Sequence, residues 1–178
     1  ISQAGIAGLA GIIIGLTLSS LGFGAILFGI LVGGGFGFLN GVIFTKARIP
    51  SFLVTLGTLF ITTGLEKYIA VTAHVLTNGI PIEGRLDPFL PLTPFLNLPR
   101  SFSLFYWAIG GAVLFYFISQ RTRFGMRIYA VGSNTVSTYL YGVKVVRYQI
   151  LAFTASGIIS AIAGFLYLPY LNIASPTF

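Results

Sequence analysis

The chain has no cysteine, one histidine (His74) and three acids, Glu66, Glu83 and Asp87. Without cysteine there are no disulfides, no thiolate nucleophiles and no cysteine-ligated metals. No two acids share an apolar run, so the paired carboxylates of general acid–base and metal-dependent chemistry are missing. The single histidine has no candidate nucleophile beside it in sequence, and the single aspartate lies in a proline-rich stretch. A phosphate-cradling Gly-x-x-x-x-Gly-Lys-[Ser/Thr] loop is also absent, because the three lysines are followed by Ala47, Tyr68 and Val145. These absences leave no catalytic residue and no metal ligand to nominate, and they argue against an enzyme.

What the chain does have is apolar length. Of its 178 residues, 56% are hydrophobic and 7% charged, with a mean hydropathy of +0.95. Soluble domains carry about 25% charged residues. A chain this apolar cannot clothe its surface in polar groups, so the composition indicates an integral membrane protein. Its net charge of +7 would suit nucleic acid in a soluble protein. Here the cations lie between apolar runs, where membrane topology explains them without a nucleic-acid partner.

A membrane-spanning helix needs about 20 apolar residues. Five runs qualify or nearly qualify: 5–20, 23–44, 51–72, 103–119 and 148–170. They are continuously apolar rather than alternating, which selects helices over a barrel. The expected fold is all-α, one polytopic transmembrane domain over 1–178. The tight turn at Leu21-Gly22 makes the first two runs a helical hairpin.

Charge orients the spans. Lys46 and Arg48 lie in 45–50, and Arg121, Arg123, Arg127, Lys144 and Arg147 lie in 120–147, with no acid in either. The remaining charged residues, Glu66, Lys67, Glu83, Arg85, Asp87 and Arg100, sum to zero. The positive-inside rule therefore puts 45–50 and 120–147 in the cytoplasm and 73–102 outside. Ile1 then falls inside and Phe178 outside, an odd number of spans that suggests a truncated chain. Five of the eight prolines (Pro81, Pro88, Pro91, Pro94 and Pro99) fall in the outer segment, which is expected to be irregular, with a short interfacial helix near 86–92.

Small residues recur every four positions as Gly29, Gly33, Gly37 and Gly41, and again as Ser156, Ser160 and Gly164. Such stripes let helices approach closely. Polar residues within the runs are few: Asn40, Thr55, Thr58, Thr62, Thr63, Thr154, Ser156 and Ser160. Hydroxyls in membrane helices often bond back to their own backbone. An amide such as Asn40 must join helices or face a polar path. Asn40, Thr55, Thr58 and Thr62 are the candidate path residues, and an uncharged path suits a neutral hydroxylated solute. In 120–147, Asn134 is a good N-cap for a short helix over 135–141, and Gly142 supplies its left-handed end. Tyr139 and Tyr141 are expected on its exposed side.

These residues resemble a known family. The stretch Arg121-Thr122-Arg123-Phe124-Gly125-Met126-Arg127-Ile128-Tyr129-Ala130-Val131-Gly132-Ser133-Asn134, followed by Gly142-Val143, resembles the permease subunit of bacterial ABC importers of the ribose/xylose type. So do Leu39-Asn40-Gly41 with residues 49–59, and Ser156-Gly157 through Ala163-Gly164 to Ala174-Ser175-Pro176. The resemblance implies the fold of type II ABC importer permeases, residence in the bacterial cytoplasmic membrane, and pairing with a second permease subunit. It further implies cytoplasmic ATPase subunits, an extracytoplasmic solute-binding protein, and alternating access. The chain would bind no cofactor itself, with ATP and Mg used by the ATPase. Gly125, Arg127, Gly132, Asn134, Ser137, Thr138 and Gly142 would form the ATPase-coupling segment. The family usually has small alanines where Ser137 and Thr138 stand, and fewer aromatics than Tyr139 and Tyr141. The same family also contains importers of nucleosides and branched-chain amino acids. From another class, a non-transporting membrane scaffold fits the small-residue packing.

Overall fold

The computed structural model describes residues 1–73, 80–81, 100–171 and 173–174. Among them are seven helices, α1 (Gln3–Leu21), α2 (Gly24–Ala47), α3 (Ser51–Thr72), α4 (Arg100–Arg121), α5 (Arg123–Ser133), α6 (Thr135–Leu140) and α7 (Val145–Leu171). Two residue pairs, β1 (Ile80–Pro81) and β2 (Ile173–Ala174), form a short antiparallel bridge, with Ile80 opposite Ala174. The fold is that of an all-α polytopic membrane protein. Among the described residues, three helices are long and apolar enough to cross a membrane by themselves: Gly24–Ala47, Ser51–Thr72 and Val145–Leu168.

Local chemistry sets the helix ends. Gly22 takes φ +52° and joins α1 to α2, its N–H donating to the Leu18 carbonyl at 3.1 Å. Such a backbone is cheap only for glycine. Pro50 fixes the start of α3, where a missing N–H is harmless. The helices run longer than the apolar stretches, with α2 continuing through Thr45, Lys46 and Ala47 and α7 beginning at Val145. The cytoplasmic stretch drawn at 45–50 thus shrinks to three non-helical residues, because a cation in the last turn of a helix suits its dipole. His74 and the interfacial helix expected near 86–92 lie outside the described residues.

α1 occupies the centre, against α2, α3 and α7. Ile6, Leu9, Ala10, Ile12, Ile14 and Leu18 are buried around much of its circumference, which is what an all-round apolar helix requires. The most extensive helix–helix contact is between α2 and α7. A Cβ on Gly33 would stand 2.6 Å from the Ala161 Cβ and 2.7 Å from the Gly157 carbonyl. One on Gly37 would collide with the Phe153 carbonyl, and one on Gly41 would lie 2.8 Å from the Ile150 Cα. Gly29 faces the other way, onto the Ile14 side chain of α1. On α7 the α2-facing line is Ile150, Phe153, Gly157 and Ala161, whereas Gly164 abuts Ala7 of α1. Ser160 is buried and its hydroxyl donates to the Ser156 carbonyl. Ser156 instead accepts from Gln3 at 2.9 Å. The serines therefore join α7 to itself and to α1, and the close contact with α2 is made by Gly157.

Among the described residues α4 packs chiefly on α5 and α7. Its side chains from Phe105 to Phe117 are exposed, as are Phe28, Leu31 and Phe38 of α2 and Phe52 and Phe60 of α3. Such apolar exposure is what a lipid-facing surface requires.

Candidate functional site

One concave region lies where α1, α3 and α7 begin and α2 nears its end. It is a cleft of about 390 Å³ lined by residues that include Ser2, Gln3, Asn40, Ser51, Thr55 and Ser156. Asn40 is buried and holds two neighbours: its Nδ2 donates to Ser2 Oγ at 3.4 Å, and its Oδ1 accepts a short hydrogen bond from the Thr58 hydroxyl. Thr58 also reaches the Val54 carbonyl at 3.0 Å. Thr55 sits at the cleft with its hydroxyl donated to Ser51 and Phe52 carbonyls. Thr62 is fully buried, bonded back to the Thr58 carbonyl at 2.8 Å, and set against Gly5 of α1. Of the four candidate path residues, Asn40 and Thr55 thus line the cleft. Thr58 and Thr62 continue the same face of α3 into the seam with α1.

The amide of Asn40 therefore ties α1, α2 and α3 together. Asn40→Leu is expected to destabilise the protein by about 1 kcal/mol, the usual scale of an interhelical hydrogen bond in a membrane protein. Thermal unfolding in detergent checks this.

The second region is the angled pair α5–α6. Thr122 caps α5 by accepting from the Gly125 N–H at 3.2 Å. Gly125 is required at that point because any Cβ would strike the Ser119 backbone. Asn134 closes α5, its N–H donating to the Ala130 carbonyl, and opens α6, its Oδ1 accepting from the Ser137 N–H at 3.0 Å. Gly142, at φ +78°, ends α6 with its N–H on the Tyr139 carbonyl. Thr138 is buried and its hydroxyl donates to the carbonyls of Ala130 and Asn134, pinning the angle between the two helices. Arg127 donates to the Tyr148 hydroxyl at 2.5 Å and stacks over its ring, which anchors α5 to α7. Gly125 and Thr138 thus shape the unit from within, and Arg127 braces it from its surface. Gly132, Ser137, Met126, Tyr129, Tyr139, Leu140 and Tyr141 are among its exposed residues. Leu140 and Tyr141 are 79% and 87% exposed, far beyond what a structural role would require.

Residues 1–178 match throughout the family described as "Branched-chain amino acid transport system / permease component". The chain belongs to this permease family. It is 34% identical over 176 residues to a protein of Yersinia enterocolitica serotype O:8 / biotype 1B named "Autoinducer 2 import system permease protein LsrC", with 94% of the chain and 45% of that protein covered. Proteins of the same name from Yersinia pestis (strain Pestoides F) and Yersinia pseudotuberculosis (strain YPIII) are 34% identical over 177 residues, covering 94% of the chain and 46% of each. The chain spans less than half the length of these curated relatives. No solved structure matches it. The ribose/xylose-type permease resemblance agrees with these matches, and the relatives are permease components rather than enzymes.

Two features of the permease were not among the residues singled out from its sequence. Helix α5 was drawn as part of a basic segment, although Phe124, Ile128 and Val131 recur at helical spacing behind a threonine cap. Glu66 is the other, 3% exposed within α3. Only the packing of α1 on α3 reveals its burial.

Proposed function

We propose that the chain is the core of a permease subunit of an ATP-driven importer in the bacterial cytoplasmic membrane, passing a small neutral hydroxylated solute by alternating access. The supporting observation is the cleft. Its volume of about 390 Å³ falls within the range of roughly 300–1,000 Å³ for small-molecule sites. Its polar lining is amide and hydroxyl, and none of the lining side chains is charged. By the charge rule this end of the bundle faces the cytoplasm. A monosaccharide such as ribose, or the autoinducer 2 in the name of the relatives, fits this chemistry. The family description favours a second reading, branched-chain amino acids, but a zwitterion would find no charged side chain in this lining.

In this reading a second permease subunit completes the path, the α5–α6 unit seats a cytoplasmic ATPase that uses ATP and Mg, and a solute-binding protein delivers from outside. The test is uptake by proteoliposomes holding the full-length parent permease with its ATPase and binding protein. ATP-dependent accumulation of labelled D-ribose or autoinducer 2, and not of leucine, is the expected outcome. Accumulation of leucine alone transfers the function to the second reading.

A further inference from the structure

Glu66 is the buried group that the cleft leaves unused. It sits on α3, 3% exposed, and among the described residues its Oε1 has no hydrogen-bond partner. Across the seam stands Gly8 of α1, where a Cβ would lie 2.9 Å from both carboxylate oxygens. Gly5 has the same relation to Thr62. The two helices therefore meet through glycine on one side and polar side chains on the other. Thr58, Thr62 and Glu66 follow one another at four-residue spacing on the buried face of α3. From Thr55 in the cleft to Glu66 is about 16 Å along a helix that rises 1.5 Å per residue, roughly half the hydrocarbon thickness.

The chemistry of this line is one-sided. The hydroxyl protons of Thr55, Thr58 and Thr62 are directed at backbone carbonyls or at Asn40, so what these residues still offer is acceptor lone pairs. The carboxyl group of Glu66 adds acceptor oxygens to the same line in either protonation state. A seam of acceptors calls for a ligand rich in donors, and a polyhydroxylated solute is that ligand. An ionisable group inside a membrane helix is costly and ordinarily marks a functional path, and an orphan buried acceptor is unfavourable until a donor reaches it.

We propose that Glu66 is a solute-binding residue on the outer half of the path, which accepts hydrogen bonds from solute hydroxyls when α1 parts from α3 at Gly5 and Gly8. This inference rests on the transport reading above. The test uses the full-length permease with its ATPase and binding protein in proteoliposomes, with labelled D-ribose and autoinducer 2 as probes. Glu66→Met removes the acceptor and Glu66→Gln keeps one acceptor oxygen at nearly the same volume. Glu66→Met is expected to raise KM at least tenfold, the scale of leaving one buried solute donor unsatisfied, while melting temperature and ATPase capture stay unchanged. Glu66→Gln is expected to stay within about threefold of wild type, since it loses charge assistance but not the hydrogen bond. Wild-type KM in Glu66→Met overturns the inference and leaves the transport reading standing. Loss of melting temperature and capture in parallel with uptake assigns Glu66 a structural role and overturns it as well. If the wild type takes up neither probe, the transport reading falls and this inference falls with it.

Discussion

Gly157→Leu is expected to prevent α2 and α7 from packing, with a loss of stability at or above the top of the range of about 1–3 kcal/mol usual for overpacked sites. The atoms that a Cβ at Gly157 would strike belong to the backbone of α2: the Gly33 carbonyl oxygen and, at 2.9 and 3.0 Å, the Gly37 Cα and nitrogen. A flexible side chain could swing away, but a backbone cannot, so the two helices would have to separate along their whole contact. That contact carries much of the packing of the bundle, and in lipid it depends on close van der Waals approach because no hydrophobic force drives helices together. Gly35→Leu, half a turn round α2 from Gly33 and Gly37 on its open side, has nothing within 4 Å of its added Cβ and is expected to change stability by less than about 0.5 kcal/mol. Thermal unfolding of both variants in the same detergent makes the comparison. Equal melting temperatures would mean that the glycine line is not what holds α2 to α7.

This pair of variants also marks where sequence reading succeeded and where it stopped. Span 51–72 coincides with α3 because Pro50 permits only one start. The α2 stripe of Gly33, Gly37 and Gly41 lies against α7 because small residues four apart share a face. On α7 the same rule selects Ser156, Ser160 and Gly164, of which Ser156 and Gly164 meet α1, while Gly157 and Ala161 make the contact with α2. A shift of one residue turns a helix by about 100°, and two neighbouring small-residue lines cannot be ranked without the partner helix. The amide of Asn40 was legible as a joint between helices, because an unpaired amide in hydrocarbon is too costly to persist. Its partners Ser2 and Thr58 were not, since they come from different helices. The charge of α5 concealed its helical period: Arg123 and Arg127 read as loop cations, whereas Arg127 lies across Tyr148 and holds the helix in place.

Tyr139→Asp combined with Tyr141→Asp is expected to abolish capture of the cytoplasmic ATPase by the full-length permease while leaving its melting temperature unchanged. Both rings are exposed, at 71% and 87%, Tyr139 on α6 and Tyr141 just past its end, and the angle of α6 is fixed by groups beneath them. Neither ring is buried, so their loss should leave the fold alone. Exposed aromatics on a rigid support are the residues that dominate interfaces, each worth about 2 kcal/mol or more when central. Losing two therefore weakens capture by at least about a hundredfold, and the carboxylates also work against the basic character that Arg121, Arg123, Lys144 and Arg147 give this surface. Thr138→Val is the informative contrast. It removes the hydroxyl bonds to Ala130 and Asn134, so it should lower capture only to the extent that it lets the α5–α6 angle relax, with a measurable drop in melting temperature. Capture of the ATPase at wild-type level by the double aspartate variant would move the coupling surface away from α6, whereas selective loss without unfolding ties the force of ATP binding to the exposed end of this helix pair.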